Sequence, residues 1–110
     1  NPRYSGENFE ANKRLAARVR DVAARKGPTV TAAQLCLAWL YHQASVLGVQ
    51  VVPIPGSTKI ANVEGNVGSV NLTLTDAEFA ELTAIGESVE GPRGNAQYQG
   101  FSLEGQLSKQ

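Results

Sequence analysis

The residues of this chain best suited to chemistry are Gly56, Ser57, Thr58 and Lys59, preceded by Pro55 and followed by Asn62 and Asn66. Glycine lets a backbone approach a ligand closely. Ser57 and Thr58 add hydroxyl donors, and Lys59 adds a compact, flexible charge suited to a phosphate monoester. The run joins an apolar segment to a helix-forming one, so its amides would open a helix. A helix N-terminus presents free N–H groups and the positive end of the helix dipole, and both favour an anion. Asn62 and Asn66 lie four apart and share a helix face, where their amides could bond a base or ribose edge above the phosphate. Spacing alone leaves a second reading open: an ordinary strand-to-helix connection, with Ser57 or Thr58 as N-cap and Lys59 solvated. The glycine spacings of a dinucleotide fingerprint or a Walker-type loop are missing.

Other reactive side chains offer less. The single Cys36 excludes an internal disulfide and leaves no thiol cluster for a metal. With no signal peptide in view, a reduced, cytoplasmic setting is expected. Cys36 reads as a small buried hydrophobe, and Trp39 as core. Tyr41 and His42 fall in the same apolar helix and read as packing or rim residues. Formal net charge is zero, which argues against a nucleic-acid partner, and no apolar run reaches the ~20 residues that cross a bilayer. Charge is unevenly spread: residues 1–26 carry seven Lys/Arg against three acids, and the remainder three against seven. Such halves could attract one another, but a solvated basic helix face is the favoured reading.

The elements that would position these groups follow from periodicity. Residues 1–8 read as a loop. From about Phe9 to Lys26, Leu15, Val19, Val22 and Ala23 recur at helical spacing, and Gly27-Pro28 closes the helix as a left-handed cap and breaker. Thr31-Ala-Ala-Gln34 fits a capping box. It opens a helix to about Gln43 that is apolar nearly all round and should be covered on several sides, with Ser45–Gly48 breaking it. Val49–Ile54 is predicted as the one confident strand. Residues 59–67 read as a short helix and Val70–Leu74 as extended. Thr75-Asp-Ala-Glu78 forms a second capping box, opening a helix with Phe79, Leu82, Ile85 and Val89 as its apolar stripe. Residues 91–110 read as a polar, glycine-bearing tail.

A lone apolar strand leaves its backbone donors and acceptors unpaired on both edges, which burial makes costly. The segment is therefore expected to pack into a larger sheet. The absence of Met from all 110 residues adds the expectation that the chain is a processed or truncated piece.

Val51-Val-Pro-Ile-Pro-Gly-Ser-Thr-Lys-Ile-Ala-Asn-Val-Glu-Gly-Asn66 is similar to the segment of aldo-keto reductases that enters the eighth barrel strand and starts the following helix. The stretches beginning at Asn1, Thr31 and Leu74 resemble other blocks of that family in the same order, so the likeness spans residues 1–90. It is closest to the plant branch of auxin-induced-protein-like and perakine-reductase-like sequences. The resemblance implies an α/β fold, the C-terminal portion of a (β/α)8 barrel, with residues 1–90 as part of an NADP-dependent oxidoreductase domain. It also implies that Pro55, Gly56, Ser57, Thr58 and Lys59 meet the 2′-phosphate and nearby phosphate oxygens of NADP(H), and that Asn62 and Asn66 face its adenosine end. The expected substrate is a small-molecule carbonyl, and the expected partner is the missing N-terminal barrel portion or another chain. Many relatives carry Glu-Glu-Asn where this chain has Glu64-Gly65-Asn66, which puts one adenosine contact in doubt. Another branch carries Arg at the position of Asn62, leaving phosphate choice here more heavily on Lys59. The family's catalytic Asp, Tyr, Lys and His belong to earlier strands. None of Tyr4, Tyr41, His42 and Tyr98 matches them, so the 110-residue chain is expected to be inactive alone. The alternative is a non-catalytic, truncated or regulatory protein of the same family that serves as an interaction partner.

Overall fold

The computed structural model describes residues 1–95, which form four α-helices and two 3-10 turns. Helix α1 spans Gly6–Lys26, α2 Ala32–Leu47, α3 Ile60–Gly68 and α4 Asp76–Glu87; the 3-10 turns are Pro2–Tyr4 and Ser69–Asn71. The predicted tail from residue 96 onward, with Tyr98, lies outside the described residues.

Local chemistry sets most boundaries. At α2 the Thr31 hydroxyl accepts from the Gln34 amide at 3.2 Å and the Gln34 side chain accepts from the Thr31 N–H at 3.0 Å. The Thr75 box at α4 repeats the arrangement, with Glu78 Oε2 accepting from the Thr75 N–H at 2.8 Å. Each box satisfies two N-terminal donors. Helix α2 runs through Ser45, beyond its expected end, and stops where Gly48 turns left-handed at φ 66°. Gly27 caps α1 but is extended, at φ 166°, and not left-handed as expected.

The extended segments are corrected. Among the described residues no strand forms: 49–57 has no regular structure, and 70–71 belongs to a 3-10 turn. The physical reason is the one the sequence itself exposes. A strand exists through a neighbour's backbone groups, and no described segment lies alongside to supply them. Val49, Val52 and Ile54 consequently stand 57%, 83% and 92% exposed.

The core lies where α1, α2 and α4 meet. Val22, Ala23, Leu35, Ala38, Leu74, Leu82 and Ile85 are buried together, with Leu15, Val19, Trp39 and Phe79 packed around them. The indole N–H of Trp39 donates to the Thr83 hydroxyl at 2.8 Å. Helix α2 is covered on several sides, as expected, with Leu35, Leu37, Ala38 and Ala44 all buried, but the face carrying Cys36, Leu40 and Leu47 is exposed. Cys36 is therefore exposed and not the buried hydrophobe its neighbours suggest, although partial cover by its surroundings still pushes the thiol pKa up.

Part of the charge segregation is used. Lys26 bridges to Glu78 at 2.8 Å and Arg25 to Glu81 at 2.5 Å, tying the end of α1 to α4. The Lys26 ammonium and the Thr75 amide hold the Glu78 carboxyl below its ordinary range. A carboxyl depressed on folding stabilises the native state above its unfolded pKa of about 4.3, and that contribution is lost as pH falls through the lower folded value. Thermal unfolding followed from pH 6 to pH 2 should show this loss, of ~1 kcal/mol for a half-buried pair. Lys26→Gln should flatten it; an unchanged acid limb in that variant would refute the pairing as its cause.

Candidate functional site

The turn at 55–59 arises because Pro53 and Pro55 withhold amide donors and the chain cannot regularise until Ile60. Lys59 is the N-cap of α3, in an extended conformation and without a side-chain cap bond. Its carbonyl accepts from the amides of Asn62 at 3.1 Å and Val63 at 3.3 Å. That leaves the N–H groups of Ile60 and Ala61 with no acceptor among the described residues, at the positive end of the helix. Ser57 and Thr58 do not cap the helix, so the ordinary-connection reading loses its N-cap.

Ser57 is held differently. The Asn66 side-chain amide donates to Ser57 Oγ at 3.3 Å, bringing together two residues nine apart. With its oxygen accepting from Asn66, the hydroxyl keeps its own hydrogen for another acceptor. Asn62 and Asn66 both lie on α3 as expected, Asn62 exposed and Asn66 half-buried. Pro55, Gly56, Ser57, Thr58 and Lys59 are all exposed, and no described residue pairs with the Lys59 ammonium. A Cβ built on Gly56 would meet nothing within 4 Å, and its φ is not positive. Among the described residues, nothing in the packing or the backbone calls for glycine there.

Position of α3 depends on a residue whose larger role the sequence did not reveal. Gln34, the glutamine of the α2 capping box, also donates from Nε2 to the carbonyl of Gly65 at 3.0 Å. One side chain thus closes α2 and pins α3 beside it. A Cβ on Gly68 would come within 3.2 Å of that nitrogen, so Gly68 leaves room for the bond. The box pattern could identify Gln34 but not its second partner, which is 31 residues away.

Gly65 has no such excuse. Nothing lies within 4 Å of a Cβ added there, and a mid-helix glycine costs up to ~1 kcal/mol relative to alanine. Gly65→Ala should therefore raise stability by about 0.5–1 kcal/mol, read as a higher denaturant midpoint at constant slope. A lower midpoint would mean that α3 needs glycine's freedom.

His42 takes a packing position. Its ring stacks on Phe79, centroids 4.2 Å apart, with Asp76 3.9 Å from Nε2. It packs α2 on α4. Among the described residues no group of three or more His, Cys, Asp or Glu could hold a metal ion, and no helix is long and apolar enough to cross a membrane.

The model of the Aldo/keto reductase family matches residues 1–87 of this chain. No solved structure matches it.

Proposed function

The chain belongs to the aldo/keto reductase family, and from that premise we propose that it supplies the adenosine-phosphate grip of an NADP(H)-dependent oxidoreductase acting on aldehydes and ketones. The carrying observation is the donor set at 55–61: two hydroxyls, an ammonium and two free amides, with no carboxylate among them. Such a set fits the 2′-phosphate of NADP(H) by charge and by hydrogen bonding. When bound, the cofactor supplies the hydride for carbonyl reduction. Lys59 sets the preference for the phosphorylated form, Ser57 donates its hydroxyl hydrogen, and Asn62 and Asn66 line the adenosine side. The likeness of the 51–66 run to the plant branch belongs to the same proposal.

Activity requires more polypeptide than residues 1–95 provide. Val49–Ile54 is strand-forming in composition and open to water on its apolar side chains, which supports a barrel in which neighbouring strands cover it. An open hollow beside it, lined by Tyr41, Ala44, Val49 and Val52, lies on the same side. Those strands would come from the N-terminal barrel portion or another chain, together with the catalytic groups. The same exposed segment favours the second reading, a non-catalytic interaction partner.

Titration of the labelled chain with adenosine 2′,5′-bisphosphate and with 5′-AMP tests the grip. Amide shifts at Ser57–Asn66 should follow the bisphosphate and not 5′-AMP, with no turnover of a simple aldehyde by the chain and NADPH. Indistinguishable responses to the two nucleotides would remove the basis for phosphate recognition.

A further inference from the structure

We propose that residues 90–94 form a polar strap, buckled onto the start of α1 and the N-terminal loop, which opens as a unit without unfolding the helical core. The buckle is Asn12. Its Oδ1 accepts from the Glu90 amide at 2.9 Å while its Nδ2 donates to the Glu90 carbonyl at 2.8 Å and to the Arg3 carbonyl at 3.0 Å. One side chain thereby satisfies both backbone groups of a residue 78 positions away and holds the N-terminal loop in the same grip. On either side, Arg3 Nε donates to the Gly91 carbonyl at 3.1 Å and the Gly94 amide donates to Asn1 Oδ1 at 3.3 Å.

Gly91 makes the path possible. Its φ of 80° disfavours any side chain, and a Cβ there would lie 2.6 Å from Asn8 Nδ2 and 3.4 Å from Arg3 Cα. Asn8 in turn donates to the Pro2 carbonyl at 3.2 Å, so the loop packed under Gly91 is itself tied down.

What fastens the strap differs in kind from what fastens the helices. No residue from 88 to 95 is buried, and the core cluster ends at Ile85. The strap is held by hydrogen bonds that water can replace, and such segments open at far lower free energy than a packed core. Because Asn12 and Gly91 act on the loop and the strap together, release at one end frees the other.

Native-state hydrogen exchange on the 110-residue chain separates these cases, with the Glu90 and Gly94 amides reporting on the strap and the Leu35 and Leu82 amides on the core. Asn12→Ala should accelerate exchange at both Glu90 and Gly94 by roughly tenfold or more, two hydrogen bonds' worth, and leave Leu35 and Leu82 unchanged. Gly91→Ala, whose added Cβ would meet Asn8 at the start of α1 and the Arg3 backbone but no core residue, should do the same, and both variants should be cut by trypsin after Arg93 faster than the parent chain. Acceleration at Glu90 alone would show separate contacts and no strap. Equal acceleration of the core amides would show that the segment is integral to the fold. Either result overturns the proposal.

Discussion

Replacing Leu35 by Ala should destabilise the chain by about 2–5 kcal/mol, the range for removing a large aliphatic side chain from a packed interior. Leu35 is the clearest position for this effect: it has no exposed surface and sits among Val22, Ala38, Leu82 and Ile85 at the junction of three helices. Total stabilities of small domains run to about 5–15 kcal/mol, so the variant should lose much of its cooperative transition. Ile54→Ala provides the contrast. Ile54 is of similar size and equally apolar but 92% exposed, and its loss should register within about 0.5 kcal/mol. Denaturant unfolding of both variants checks the pair. A comparable loss at Ile54 would mean that this segment packs against something in solution, and a small loss at Leu35 would mean that the three helices do not share one core.

The second large effect is expected at Lys59 and rests on the proposed cofactor grip. In a barrel containing this segment, Lys59→Ala should weaken NADPH binding by roughly tenfold to a hundredfold, the worth of a hydrogen-bonded charge on phosphate. NADH lacks the 2′-phosphate and should change by less than about threefold. The loss should shrink as ionic strength rises, because the site is open to solvent. Fluorescence titration with both cofactors at two salt concentrations reads all three features. Equal weakening of the two cofactors would assign Lys59 to the pyrophosphate or to α3 itself, not to the choice between them.

Much of the helical framework is legible in the sequence because its causes are local. The Thr31 and Thr75 boxes form as their spacing predicts, and the buried positions Val22, Ala23, Leu82 and Ile85 fall on the expected faces. Helix ends are less legible. Gly6 at φ 58° begins α1 earlier than its apolar periodicity does, and Ser45 does not stop α2 because a left-handed Gly48 lies within reach as a better end. The missing strand at Val49–Ile54 shows why composition cannot settle a sheet: the stabilising groups belong to other segments. At the candidate site, types and spacing reveal the donors, but the Asn66–Ser57 and Gln34–Gly65 bonds join distant positions and leave no periodic trace.

The uncovered run at Val49–Ile54 also bears on how the chain behaves at high concentration. Bare β-branched residues are adhesive, and an unpaired edge invites cross-chain zippering into aggregates. Pro53 and Pro55 interrupt that edge within every seven-residue window containing Val52 and Ile54, acting as gatekeepers against an unbroken intermolecular ladder. The two prolines thereby limit the cross-chain pairing that the exposed run invites.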